Sequence, residues 1–520
     1  MLTQPAASDP TDLRYGRRAA IALFALTALR LVLVAFVGLG DAEAYYWTWS
    51  QHPALSYYDH PPMVSWMIGA TTWLGGNAPF FVRLGPVLFF AATSVLVYLL
   101  ARDMSGRRRV GFVALVLFQL TPAFAIGGQG ANPDVPLGFF WMLAAWLFWR
   151  ATTQDRRALA PLVGIVLGLA FLSKYFALLF MIAALVWLLR HEYRVWWRRP
   201  ELYVGLILAA ALALPVVWWN LEHDWPSVRY HLIRRHGAAG FTLKQAGMFF
   251  GGQALYYSPL LFGVYLYALG QLVQRGWRGR GHDTPERRRA FAYLATLAVP
   301  TILFFTVVGL WTPQTEPHWT AMAYLPLVIG TAIFWDERTG HGAVVPGGTR
   351  RLRIFTRFAA GFPAVLLILA HVHLLSPLFV PLVPERDRPR DIVAETTGWR
   401  EVGQRAREIA STMRNPLLLH YHYTKCAQLW WSVDAKLPIA CLNDRQDQFD
   451  FWQDEAALVG RDMLYVTDAV YARRPETVWR FDRCETAATL PILRGGHALR
   501  AFTFYRCFGY RGPTEGRRDL

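Results

Sequence analysis

Apolar runs of about 20 residues recur from Arg18 to about Pro381, separated by short polar stretches. An α-helix of about 20 apolar residues spans the hydrocarbon core of a bilayer. The pattern therefore predicts membrane helices, at about 18–38, 80–101, 110–127, 134–150, 158–173, 175–190, 202–219, 247–270, 290–310, 318–335 and 358–380, about eleven in all. The segment 61–75 is apolar but short, and reads as a helix lying at the interface. Beyond about residue 384 charges of both signs become frequent. Short strand-like stretches appear there at Asn415–Tyr421, Met463–Thr467 and Ala498–Tyr505. The expected architecture is an all-α polytopic membrane bundle over 1–383, followed by a small α/β domain over 384–520.

Composition agrees with this reading. Of 520 residues, 54% are hydrophobic and 17% charged, against about 25% charged in soluble domains. So apolar a chain is not intrinsically disordered. The net charge of +17 does not point to nucleic acid, because the Arg residues interrupt apolar runs instead of forming one basic face. They fall in alternate connections: Arg14, Arg17 and Arg18, then Arg102 and Arg107–Arg109, then Arg150, Arg156 and Arg157, and so on. By the positive-inside rule the N-terminus is cytoplasmic. An odd number of crossings then places the C-terminal domain outside. The first run lacks a small-residue cleavage site before Asp41 and reads as a retained helix. All four cysteines, Cys426, Cys441, Cys484 and Cys507, lie in the outer segment, where disulfides are permitted. Three pairings are open. No CxxC pair suggests zinc.

Within residues 1–383, seven acidic residues lie outside the cytoplasmic connections: Asp41, Glu43, Asp59, Asp134, Glu222, Asp224 and Glu316. All fall in outer loops or at outward helix ends. A transporter or flippase for lipid-linked glycans, the alternative reading, usually keeps carboxylates near the midplane. An enzyme working at one membrane face puts them at that face. The first outer loop is the richest, with Gly40-Asp41-Ala42-Glu43-Ala44-Tyr45-Tyr46-Trp47 followed by Tyr57-Tyr58-Asp59-His60-Pro61-Pro62. Taken singly, such residues also suit an interfacial aromatic belt with solvated acids. Pro61 and Pro62 stiffen the backbone beside a carboxylate and an imidazole.

That loop resembles the first outer loop of GT-C glycosyltransferases, in particular the bacterial branch of the protein O-mannosyltransferase family that includes the lipid A aminoarabinose transferases. Further matches follow in order: Asn132-Pro133-Asp134-Val135-Pro136-Leu137, Leu172-Ser173-Lys174-Tyr175, His223-Asp224-Trp225-Pro226-Ser227, Gly251-Gly252-Gln253 and Glu316-Pro317-His318-Trp319. Together they cover about residues 30–330. Two departures stand out. Ala42 splits the acidic pair, and His60 stands where the aminoarabinose transferases carry Lys, which argues against that substrate.

The resemblance implies transfer of a sugar from a polyprenyl-phosphate donor to a cell-envelope acceptor, at the outer face of the inner membrane. That acceptor is a lipid A or core glycan, another glycan, or a protein hydroxyl. Such chemistry needs a base for the acceptor hydroxyl and cations for the departing phosphate. The candidate base is Asp41 or Glu43, with Asp59 sharing the site. His60, Lys174, Arg234, Arg235 and His318 are the candidates for the donor phosphate, with Arg83 a lesser one. Tyr45, Tyr46, Asp134, Asp224 and Glu316 are those for the acceptor or sugar. No cofactor is required by these motifs; should a divalent metal ion take part, Asp59 and His60 are the candidate ligands.

Overall fold

The computed structural model describes residues 10–232, 240–279, 283–312, 315–339, 349–443 and 445–514. The phosphate candidates Arg234 and Arg235 lie outside them. The chain first forms α1 (Pro10–Val34), α2 (Asp41–Gln51), α3 (Met63–Gly75), α4 (Pro79–Ser105), α5 (Arg108–Leu120), α6 (Pro122–Gly127), α7 (Asp134–Thr153) and α8 (Leu159–Ser173). It continues through α9 (Leu178–Leu188), α10 (Pro200–Glu222), α11 (Pro226–Leu232), α12 (Leu243–Tyr256), α13 (Pro259–Leu272), α14 (Pro285–Trp311), α15 (Ala321–Thr339) and α16 (Thr349–Leu375).

The apolar runs are helical, but several are broken. The expected span 110–127 divides at Thr121, before Pro122. The span 247–270 divides at Ser258, which has φ 70° and precedes Pro259; a proline ring disfavours helical geometry in the residue before it. Among the described residues, four stretches are long and apolar enough to cross a bilayer: α4, α10, α14 and Arg357–Leu375 within α16. A fifth is added if Tyr175–Leu188 and His191–Arg198, bent by 110° against each other, form one span. The eleven crossings expected from hydropathy thus correspond to fewer unbroken helices. With 13 residues, α3 is too short to cross.

The chain divides into two compact units. One takes the residues up to Leu31, His60–Val64 and Pro86–Ile368. Its core is aromatic: Trp187 stacks on Tyr193 with centroids 4.5 Å apart and meets Tyr293 edge-on at 4.9 Å, while Trp141 meets Phe180 at 5.2 Å. Such tilted pairs match the ring quadrupoles. Helices α8 and α10 approach through glycine. A β-carbon on Gly164 would sit 1.9 Å from the Gly205 carbonyl oxygen, so only a hydrogen fits there.

The other unit takes Val32–Asp59, Ser65–Gly85 and Leu369–Leu520. Its later part adds α17 (Ile392–Thr396), α18 (Trp399–Ala410), β1 (Leu417–His420), α19 (Tyr423–Ser432) and β2 (Ile439–Cys441). Then come β3 (Met463–Asp468), α20 (Pro475–Val478), β4 (Trp479–Arg494) and β5 (His497–Pro513). The strand order is β2-β1-β3-β5-β4, parallel from β2 to β3 and antiparallel thereafter. The three strand-like stretches read from sequence fall on β1, β3 and β5. Gly495 and Gly496, both at positive φ, make the tight turn between β4 and β5. Helix α18 buries Trp399, Val402, Ala406 and Ile409 at helical spacing. Two disulfides form: Cys426–Cys441 ties α19 to β2, and Cys484–Cys507 bridges facing positions of β4 and β5.

Candidate active site

In the second unit, Asp41 and Glu43 lie in the first turn of α2, where the helix dipole favours negative charge. Their partners differ. Glu43 folds back to accept the Gly40 N–H at 2.8 Å, as the third residue of a capping box does. Arg83, 5% exposed, grips both oxygens of Glu43, with Nε to Oε1 at 2.8 Å, and also donates to the carbonyls of Val37 and Gly38 at 2.6 and 2.7 Å. Arg83 thereby joins the end of α1 to the start of α2. Its guanidinium is buried among these partners.

Asp41 faces the C-terminal part of its unit. Its Oδ2 pairs with Lys425 Nζ of α19 at 2.6 Å, and its Oδ1 accepts from Gln428 at 3.3 Å. Its backbone N–H donates to Glu395 Oε1 of α17 at 2.6 Å. The Asp41 side chain keeps 21% of its surface exposed, against 12% for Glu43 and 11% for Asp59. Burial, and next the Asp41 charge, push the Glu395 carboxyl above its ordinary value.

Asp59 is held separately. Tyr45 donates its hydroxyl to Oδ2 at 2.8 Å, and Arg445 pairs with Oδ1 at 2.6 Å. The Tyr45 oxygen also accepts the Gln448 N–H at 3.0 Å, and Gln448 in turn accepts the Tyr58 N–H at 2.7 Å. Asp447, between Arg445 and Gln448, is fully buried. Burial, then the Asp450 and Asp59 charges, lift it to about 8 despite hydrogen bonds from Asn443 and the Phe449 N–H. Tyr45 is 3% exposed, with Tyr423 and Trp49 against its ring at 4.7 and 5.1 Å. Its hydroxyl is the donor to Asp59. Tyr46, centroids 6.1 Å from Tyr45, is only half-buried.

In the first unit, four of the separated sequence motifs converge. Asp134 opens α7, and Lys174 occupies the extended break after α8. Lys174 is 4% exposed and donates to both Asp134 oxygens at 2.8 Å. His318 Nε2 lies 3.7 Å from Asp134 Oδ2. Trp319 meets Phe176, beside the break, at 5.6 Å. Gln253 accepts from Thr320 and Tyr324 at 3.1 and 2.8 Å, and Gly252 packs so closely on Pro317 that a β-carbon would sit 2.6 Å from its ring. His60 meets His231 at 6.0 Å, and His231 meets Tyr175 edge-on at 5.4 Å. Asp224, on a turn at positive φ, and Glu316 are exposed.

Among the described residues, no group of three or more His, Cys, Asp or Glu side chains is placed to hold a metal ion. Asp59, a candidate ligand from sequence, pairs with Tyr45 and Arg445. Sequence reading missed Lys425, Glu395, Arg445 and Asp447. They lie in the C-terminal segment in no recognisable spacing.

Comparisons with known proteins bear on this arrangement. Residues 59–219 match the family described as dolichyl-phosphate-mannose-protein mannosyltransferase. The chain is 28% identical, over 84% of its length and 87% of the relative's, to lipid A galacturonosyltransferase RgtD of Rhizobium johnstonii. It is 27% identical, over 61% of its length and 56% of the relative's, to the undecaprenyl phosphate-alpha-4-amino-4-deoxy-L-arabinose arabinosyl transferase of Edwardsiella ictaluri. In fold it is similar to the crystal structure of ArnT from Cupriavidus metallidurans bound to undecaprenyl phosphate, with a TM-score of 0.61 and 13% identity over 93% of this chain and 97% of that one.

Proposed function

We propose that the chain is a GT-C-type glycosyltransferase of the bacterial branch that holds the lipid A sugar transferases, and that it moves a galacturonosyl residue from a polyprenyl-phosphate donor to lipid A. What carries the reading is the likeness to the galacturonosyltransferase over 84% of the chain. Each unit, taken by itself, carries part of what that chemistry needs: carboxylates at and after α2 in one, a buried lysine in the other.

In this reaction the acceptor oxygen attacks the anomeric carbon. The bond from that carbon to the phosphate oxygen breaks, and the prenyl phosphate leaves with the bonding pair. Asp41 takes the acceptor proton. It is the most exposed of the three carboxylates, and it is not locked in a two-pronged arginine grip as Glu43 is. Asp59, fixed by Tyr45 and Arg445, orients the acceptor. Lys174, His318 and His60, with Arg234 and Arg235, supply positive charge and hydrogen bonds to the phosphate; charge aimed at the developing anion is where an enzyme gains most. Asp134 holds Lys174 in place. Exposed Asp224 and Glu316 serve the acceptor side. The chain crosses the inner membrane about eleven times, with its N-terminus cytoplasmic and residues 384–520 periplasmic.

The test is transfer by the purified enzyme from undecaprenyl-phosphate galacturonate to lipid A, with Asp41→Asn, Asp59→Asn and Lys174→Ala variants. Transfer by the parent and its loss in these variants is the expected result. Equal transfer in all of them overturns the residue assignment. A parent that transfers no galacturonate, with lipid A of unchanged mass in a deletion strain, overturns the sugar.

A further inference from the structure

Asp41 sits at one corner of a charged network drawn from five places in its unit. Lys425 comes from α19 and Glu395 from α17. Tyr471 follows β3 and Arg500 lies on β5; the Asp41 charge acts on both. Glu43 lies two residues along α2 and is neutralised by Arg83. Lys425 is buried, with its ammonium 5.6 Å from the Trp399 ring centroid. Arg500 is paired at 3.2 Å with Asp468, both side chains fully buried, and packs on the other flank of the network against Trp399 at 4.9 Å. Of the two cations, Lys425 is the one bonded to Asp41.

A buried lysine would ordinarily spoil a carboxylate as a base, because the cation stabilises its ionised form. Here Glu395 places a second negative charge against the same helix start. The cost shows on Glu395 itself, whose carboxyl is raised by burial and then by Asp41. Lys425 and Glu395 thus bring side chains of opposite sign to the start of α2.

We propose that Lys425 and Glu395 are positioning residues for the transfer reaction, Lys425 aiming the Asp41 carboxylate and Glu395 opposing the lysine charge so that Asp41 still accepts the acceptor proton. This rests on Asp41 being the base. The outer domain then completes the catalytic machinery instead of merely covering it. A purely structural pair would lower activity without moving its pH dependence.

The experiment measures kcat/KM against pH for the full-length enzyme in lipid nanodiscs, with undecaprenyl-phosphate galacturonate and lipid A. The acidic limb of such a profile reports the base of the free enzyme. In Lys425→Met the limb moves up by about one pH unit, and in Glu395→Gln it moves down by a similar amount, the sizes expected of a single close charge. Lys425→Arg restores the limb to within a few tenths of a unit. A limb unmoved in Glu395→Gln, or limbs moved in the same direction in Glu395→Gln and Lys425→Met, overturns the proposal. Glu395→Gln is near-isosteric, so the opposing shift is tested even where Lys425→Met does not fold. Asp41→Asn separates the two readings. Full activity there defeats Asp41 as the base, whereas an inactive Asp41→Asn beside unmoved neighbour profiles defeats only the positioning roles.

Discussion

Two carboxylates two residues apart, Asp41 and Glu43, end in opposite roles because of what reaches each. Glu43 is enclosed by Arg83 and the Gly40 N–H. Removing one partner of a buried ion pair typically costs about 3–5 kcal/mol, since the other charge is left stranded. Glu43→Gln is therefore expected to lower the thermal midpoint in detergent markedly; Asp41→Asn, which strands the buried Lys425, lowers it as well and in addition cuts turnover about 10²–10⁴-fold, the usual weight of a general base. Differential scanning fluorimetry beside the transfer assay checks both. Asp447 supplies a pH prediction. Its folded-state value of about 8 stands far above that of a free carboxyl, so folding favours the protonated form. The stability it lends is complete in acid and is lost as pH rises towards and through about 8. Melting temperatures recorded from about pH 5 to about pH 9 should fall less steeply in Asp447→Asn than in the parent; parallel curves would show that the group is ionised inside the fold. Asp41, Glu43 and Asp59 were legible because acids among aromatics at the end of an apolar run are unusual. Their division of labour was not, because it depends on Arg83, Lys425 and Arg445, which stand 40, 384 and 386 residues away from their partners.

At the scale of elements, hydropathy found the helices but not where they break. The breaks at Thr121, Lys174 and Ser258 follow from proline or from an extended residue inside an apolar run, and an average over 20 residues smooths such points away. Lys174 is the instructive one: the interruption that marked it in sequence is the local extension that lets its ammonium reach Asp134. The disulfides also act through elements. Cys426 is next to Lys425 on α19, and its bond to Cys441 pins that helix to the sheet edge, while Cys484–Cys507 staples two strands already paired by a long hairpin. Each removal should cost a few kcal/mol of stability, as is typical. Replacing Cys426 and Cys441 by Ala is expected to reduce transfer as well as the melting temperature. Replacing Cys484 and Cys507 is expected to reduce the melting temperature alone. Equal activity losses in the two double variants would argue against a special role for α19.

For the molecule as a whole, the Arg-rich connections predict the topology directly. Alkaline phosphatase fused after residue 514 should be active, and the same enzyme inserted near Gly106 should be silent; the reverse pattern would invert the orientation. The division into units was not legible in the same way, because a linear reading places a boundary near residue 384, whereas the second unit also draws in Val32–Asp59 and Ser65–Gly85. That threading bears on how the enzyme is made. Asp41 leaves the ribosome early, yet Lys425 and Glu395 emerge only after some 350 further residues have been synthesised. A half-made chain, or one cut short by a premature stop, would hold Asp41 without the two side chains that pair with it in the finished fold.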